Sequence, residues 1–339
     1  RHGRLLSHEP EFYRSLRAAL VELRLELVVV TSELPSVSAL DVPALYVPIA
    51  PELCTKPIFG SGKQAYGATE DVELSQRYRL WTARDASIPC DASITVTEIL
   101  VQRIVEQLNP LVAVIWNGER CTDLLLRRSL AARGIPHLFA ERAFIPGYLH
   151  IDPLGILAAS RIGRDRSDFL ASDPTDYPIL TRNFSGATTW YTQPRENQRI
   201  VSQIVNKAKG RKIILFCSQV PEDTQCFMFS PYFEAPLAAV RWLVNSVPSD
   251  QYFVVGKHHP MDRTPPQEYA DVVGRAGGMW LTQLGMADAL DVCDLFATVN
   301  STAAYEALLR GKVPLLGGLS ILSGKEIAYE FRGHGVGEL

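Results

Sequence analysis

No apolar run in this sequence approaches the ~18–20 residues of a membrane span, and its start, Arg1-His-Gly-Arg-Leu-Leu6, lacks a signal-peptide pattern. A membrane-embedded or secreted chain is not expected, which leaves peripheral contact with a membrane surface open. Cysteine is scarce: six residues (Cys54, Cys90, Cys121, Cys217, Cys226 and Cys293) lie scattered, with no Cys-x-x-Cys pair. A disulfide framework or zinc site is thereby excluded, and reduced, mostly buried thiols in a cytoplasmic protein are expected. No long basic run is present and the formal net charge is -3, so no nucleic-acid-binding surface is expected. No Asp-x-Asp pair falls at a strand end and no His/Cys cluster has metal spacing, so no metal is expected. The first residue is not methionine, which fits a piece of a longer polypeptide.

What is present is ordinary globular material: 339 residues, 47% hydrophobic and 21% charged, enough for two domains or one large one. Phe12, Leu16, Leu20 and Leu23 give helical spacing over 10–25, and strands are expected at 27–31 and 45–49. Residues 50–93 are irregular. Within them Gly60-Ser-Gly-Lys63 lacks the preceding strand and full spacing of a phosphate loop, and reads as a loop near a cleft. A helix over 94–108, a strand Val112–Trp116 ending in Asn117-Gly118, a helix over 120–133 and a strand His137–Glu141 form a βαβ cadence. Residues 142–194 read as loop-rich, closed by a helix at 195–208. The basic stretch Lys207–Lys212 reads as a solvated helix end. The cadence then restarts, with strands at 213–217, 252–255, 279–281, 295–299 and 313–316 and helices at 233–246, 286–292 and 303–310. Two successive Rossmann-like halves, 1–194 and 195–339, describe the α/β architecture called GT-B, in which two such domains face across a cleft.

Polar residues crowd the expected carboxyl ends of these strands, where open α/β sheets place ligands. Strand 213–217 runs into Gln219, Pro221, Glu222 and Asp223. Lys257-His258-His259-Pro260 follows the next strand, and Asn300-Ser301-Thr302 precedes a helix. An ammonium and an imidazole at Lys257 and His259 are suited to hold a phosphate, and the Ser301 and Thr302 hydroxyls at a helix start offer a second anion contact. Read so, the four surround one phosphate from two adjacent strand ends, with Asp223 facing it across the cleft. Each also has a plain structural reading, as a turn, a cap or a solvated loop. At a sugar anomeric centre a carboxylate serves as nucleophile, base or electrostatic support. Glu141, from the first domain, is the candidate partner acid or base, and Asn117 a second polar strand-end residue. A leaving group with a single phosphate, such as CMP, needs less divalent neutralisation than a diphosphate, so the lack of a metal motif favours a CMP-sugar donor.

The ordered set Gln219-x-x-x-Asp223, Lys257-x-His259-Pro260 and Asn300-Ser301-Thr302 with Lys312-Val-Pro314 behind it resembles the bacterial retaining β-Kdo transferases. Phe139-Ala-Glu141-Arg, Pro146 and Ile151-Asp152-Pro-x-Gly155 extend the resemblance, which spans about residues 112–316. These enzymes make capsule polysaccharide linkers or cap lipopolysaccharide O-chains. The resemblance implies a GT-B transferase that moves Kdo from CMP-β-Kdo to a lipid-linked glycan, with no cofactor. Residues 1–194 would bind the acceptor and 195–339 the donor. Asp223 would be the nucleophile of a double displacement and Glu141 an acid/base or cleft residue. Gln219, Lys257, His259, Asn300, Ser301, Thr302 and Asn117 would bind substrate. His258 stands where the capsule enzymes usually have proline, and Pro221-Glu222 replaces a more acidic spacer, which favours an O-chain-capping relative. The rival readings are another GT-B enzyme, sialyltransferase-like or using a UDP-sugar, and a non-catalytic nucleotide-sugar-binding module of a larger polysaccharide assembly protein.

Overall fold

Five consecutive apolar residues, Ile213-Ile-Leu-Phe-Cys217, are all buried. They belong to strand β6 (Lys212–Cys217) at the middle of a six-stranded sheet. Side chains alternate across a strand. Ile213, Leu215 and Cys217 therefore enter one core and Ile214 and Phe216 the other. A strand covered on both faces needs this unbroken apolar run.

The computed structural model describes residues 9–31, 44–46, 90–143, 149–164, 194–221 and 223–331. The loop with Gly60-Ser-Gly-Lys63, the segment with Asn183, Pro146 and Glu222 lie outside the described residues. In chain order the elements are α1 (Glu9–Glu22), β1 (Val29–Thr31), β2 (Ala44–Tyr46), α2 (Cys90–Leu108), β3 (Ala113–Trp116), α3 (Cys121–Ala132), β4 (His137–Arg142) and β5 (Leu149–Asp152). Then follow α4 (Arg161–Arg164), α5 (Pro194–Ala208), β6, α6 (Thr224–Met228), α7 (Pro236–Ser246), β7 (Tyr252–Lys257), α8 (Pro266–Arg275) and β8 (Met279–Leu281). Last come α9 (Met286–Val292), β9 (Leu295–Thr298), α10 (Ala303–Leu309), β10 (Pro314–Leu316) and β11 (Tyr329–Glu330).

The chain divides into two compact units, residues 1–113 with 120–137, and residues 114–119 with 138–339. In the first unit, β1 and β2 pair in parallel, and Ile94 of α2 packs with Cys121, Leu124 and Leu125 of α3. In the second unit the large sheet has the order β11-β10-β9-β6-β7-β8, with every recorded pairing parallel. Helices α5, α9 and α10 cover one face through Ile204, Ala289, Leu290 and Ala307. Helices α7 and α8 cover the other through Val240, Leu243, Tyr269 and Val273. This is the parallel, Rossmann-like α/β arrangement the strand spacing predicts.

Besides the short α4, α6 and β11, three features depart from the sequence reading. Helix α8 was not expected; it begins at Pro266, whose fixed φ suits a first helical turn. Within the expected loop-rich region 142–194, β5 pairs antiparallel with β4, so the polypeptide doubles back instead of crossing over. The basic segment before β6 is more than a solvated end: Arg211 donates to the carbonyls of Lys207, Ala208 and Ser249 and lies over the Phe253 ring. It thereby satisfies carbonyls that the end of α5 leaves open.

Candidate functional site

The chain runs outward from β6 through β7 and β8, then returns to the far side of β6 with β9, β10 and β11. The strand order thus reverses between β6 and β9, and such a reversal opens a crevice at the carboxyl ends. Gln219 lies just beyond β6 and Asn300 just beyond β9, and the two are bonded to each other. Gln219 Nε2 donates to Asn300 Oδ1 at 2.9 Å, and Gln219 Oε1 accepts from Asn300 N at 2.8 Å and Thr298 Oγ1 at 3.1 Å. Asn300 Nδ2 in turn donates to the carbonyls of Gln225, Phe229 and Leu319. Both side chains are buried, at 6% and 3% exposure. Their amides are bonded to each other and to the backbone inside the protein, which braces the end of β6 against that of β9.

Lys257 ends β7, on the other side of β6, and His259 lies just beyond it. The expectation that they share adjacent strand ends with Ser301 and Thr302 is corrected: β6 stands between β7 and β9. The two ends are tied through β6 all the same. Ser218, next to Gln219, accepts from His259 N at 2.7 Å. The sequence reading passed over Ser218, although a buried hydroxyl directly after a core strand was a signal.

His259 opens a turn in which Asp262 N donates to the His259 carbonyl at 3.0 Å. Pro260 occupies the second position, which proline favours. Met261 N donates to His259 Nδ1 at 3.1 Å. Since Nδ1 accepts, the neutral ring carries its proton on Nε2 and presents a donor. Burial holds the His259 pKa below its usual value, Lys257 pushes the same way, and Asp223 and Asp262 oppose. Asp262 is itself fixed by Tyr269, whose hydroxyl donates to Oδ2 at 2.8 Å. His258 is different: its ring is buried edge-on against Tyr269 and Trp280, and its backbone N–H donates to Leu281. Lys257 is half-buried; its carbonyl accepts from Ser218 N at 3.0 Å, while its ammonium makes no hydrogen bond or ion pair among the described residues. Behind it, Cys217 is no nucleophile, since burial pushes its thiol up to about 12.

Asp223 is exposed and caps α6, with Oδ1 accepting from Gln225 N at 3.0 Å. The cap occupies Oδ1 only; Oδ2 takes no hydrogen bond among the described residues. The plain reading as a cap therefore holds, and it leaves the second carboxylate oxygen open. At the start of α10, Ser301 Oγ accepts from Ala303 N at 3.2 Å, and the exposed Thr302 makes no side-chain cap. Helix α10 has only 7 residues, so its dipole adds little, and the Thr302 hydroxyl is the open group there. One turn on, Glu306 was missed by the sequence reading. Burial raises its carboxyl pKa, against the opposing pull of Arg310 and Lys257.

Asn117 and Glu141 form a second cluster. Asn117 takes a left-handed φ of 68°, followed by Gly118 at 86°. Asparagine and glycine are the residues that tolerate this region, and a Cβ at Gly118 would meet the Phe139 ring at 2.3 Å. Asn117 Nδ2 donates to Glu141 Oε2 at 2.9 Å and reaches Thr224 Oγ1 at 3.4 Å. Thr224 immediately follows Asp223. Glu141 was expected in a first domain opposite Asp223. The structure instead groups residues 138–142 and 114–119 with the large sheet, because β4 pairs with β5 and Asn117 reaches the turn at α6. Among the described residues no three His, Cys, Asp or Glu side chains gather to hold a metal ion, and no helix is long and apolar enough to cross a membrane.

Residues 186–330 match the family model for capsule polysaccharide biosynthesis proteins, a span that contains the motifs at 219–223, 257–260 and 300–302. This agrees with the family resemblance drawn from those motifs. Protein FixF of Sinorhizobium fredii is 29% identical over 238 residues, 68% of this chain and 53% of FixF. The chain thus spans about half the length of that relative. Among solved structures, a β-Kdo 2,7 transferase of Thermosulfurimonas dismutans KpsC is similar at 17% identity and a TM-score of 0.44, covering 68% of this chain and 73% of that one. The glycosyltransferase SnogD of Streptomyces nogalater is similar at 13% identity and a TM-score of 0.32, covering 94% and 82%.

Proposed function

We propose that this chain is a retaining β-Kdo transferase of capsule or O-chain biosynthesis, taking Kdo from CMP-β-Kdo to a lipid-linked glycan. The observation that carries the reading is a Lys257 ammonium with no hydrogen bond or ion pair among the described residues, close to a His259 ring fixed as an Nε2–H donor that also lies within electrostatic reach of Asp223. Glu306 lies within electrostatic reach of Lys257 but forms no ion pair with it, so a ligand anion can complete this half-buried cation. Lys257 and His259 would hold the single phosphate of CMP by charge-assisted bonds, with the Thr302 hydroxyl adding a third donor. Asp223 Oδ2 would attack the anomeric carbon as the phosphate leaves with the bonding pair. In the second displacement the acceptor hydroxyl would attack that carbon, losing its proton to Glu141 and releasing Asp223. Gln219 and Asn300 would keep β6 and β9 in register, and Asn117 would fix the Glu141 carboxylate. The capsule family match and the ordered motifs support the class of reaction.

Thermal shift with CMP, UDP, GDP and AMP, followed by transfer assays with Asp223→Asn, tests this. The asparagine keeps the cap of α6 but is no nucleophile. A stabilisation by CMP, which reaches about 2.7 kcal/mol at 100 times Kd, together with loss of transfer in Asp223→Asn, is expected. Preference for UDP or GDP would overturn the donor, and full transfer by Asp223→Asn would overturn the nucleophile.

A further inference from the structure

Glu141 of β4 and His150 of β5 stand directly opposite each other in the antiparallel ladder. Such pairs share a face, with Cβ atoms about 4.5–5.5 Å apart. The two side chains differ in freedom. Glu141 is pinned, since Oε2 accepts from Asn117 Nδ2 and Oε1 from Arg142 N, both at 2.9 Å. His150 is half-buried, and its ring has no hydrogen-bond partner among the described residues. A carboxylate held on both oxygens cannot turn to find a new partner. Its chemistry is set by whatever charge appears beside it.

We propose that His150 is the positioning residue that controls Glu141 as a proton acceptor, neutral when the site works and, once protonated, the counter-ion that disables it. This rests on the transferase reading above. In the step concerned, the O–H bond of the acceptor breaks and its proton goes to the Glu141 carboxylate. The hydroxyl electron pair forms the new bond to the anomeric carbon, and Asp223 leaves with its own pair. Glu141 then releases the proton to solvent. An imidazolium opposite Glu141 would stabilise the carboxylate form and make it a weaker base.

The surroundings keep His150 neutral. Burial holds its pKa below the usual value, while Asp152 on its own strand and Glu141 on β4 pull the other way. Asp152 is committed elsewhere, accepting from the backbone of Leu154, Gly155 and Arg161. Among the described residues, the other groups around Glu141 are the neutral Asn117 just after β3, Arg142 next in the strand, and Thr224 beside Asp223 at α6. Imidazolium therefore forms only on the acid side of the ordinary histidine range.

Two measurements on the full chain decide the matter. The first follows the His150 ring by NMR in histidine-labelled protein, wild type and Glu141→Gln, from pH 8 to 5. The His150 midpoint is expected to fall in Glu141→Gln, because an attracting carboxylate is lost. An unmoved midpoint overturns the pairing, and no donor sugar is needed to see it. The second compares transfer against pH, each profile normalised to its own maximum, for wild type and His150→Gln. The acid limb is expected to move to lower pH by about half a unit or more with KM for the donor unchanged. Superimposed profiles, or a loss confined to KM, overturn the role. A midpoint that moves in a chain without transfer on any donor sinks the transferase reading and leaves the pair standing.

Discussion

Replacing Gln219 with alanine separates a brace from a ligand contact. The substitution removes the acceptor for Asn300 N and the donor for Asn300 Oδ1. Thr298 Oγ1 keeps its bond to the Cys217 carbonyl at 3.0 Å, so it is not orphaned. Asn300 cannot turn its amide to compensate, because Nδ2 is held by three carbonyls on other segments. Two buried polar groups are left without partners, at about 1–3 kcal/mol each, which gives about 1–5 kcal/mol once a water takes up part of the loss. Urea unfolding followed by far-UV circular dichroism measures this as a lower midpoint at unchanged slope. Hydrogen exchange of the Asn300 amide should quicken well before global unfolding, since the acceptor it has among the described residues is gone. An unchanged midpoint with loss of nucleotide binding would refute the brace and restore Gln219 as a direct contact.

Lys257→Met should leave the unfolding midpoint within about 0.5 kcal/mol while weakening CMP binding by about 1.5–3 kcal/mol, read by calorimetry; equal affinities would remove Lys257 from the phosphate site. Gly256→Ala places a Cβ at 1.8 Å from the Trp280 ring, which is stacked on Tyr269 at 4.3 Å and cannot retreat. A loss of about 1–3 kcal/mol is expected, with a change in tryptophan emission, and wild-type stability would show that the indole has room to move. The folded pKa values of His150 and His259 lie below the ordinary value, so between the two the unfolded chain binds more protons. Stability should therefore be fully present above about pH 6.5 and fall as the pH drops through that value towards the folded pKa values. The double variant His150→Gln, His259→Gln should flatten this slope in thermal melts, and an unaltered slope would assign it to other groups.

The large sheet was legible because its strands are buried on both faces. Ile213–Cys217, Phe253–Val255 and Phe296–Ala297 each read as unbroken apolar runs, and a run of that kind has few other uses. Helix α8 and strand β5 were harder: α8 starts at the second of two prolines that read as a loop, and Leu149-His-Ile-Asp152 is too short and polar to announce a strand. The candidate residues themselves were visible as polar groups after strands. Their roles were not, because a side chain's hydrogen-bond partners lie far away in sequence, as with Gln219 and Asn300.

By itself the sequence determined the α/β class, the positions of most strands, and the residue types at the strand ends, since burial on two faces and punctuation by turns are local properties. Strand order was left to the tertiary structure. Only the placing of β6 between β7 and β9 shows that Lys257 and Asn300 are neighbours through Ser218 and Gln219, not directly. Only the antiparallel register of β4 and β5 sets His150 against Glu141. Pairing across a sheet depends on which distant segments bury each other's surface best, and that competition is settled by the folded chain as a whole.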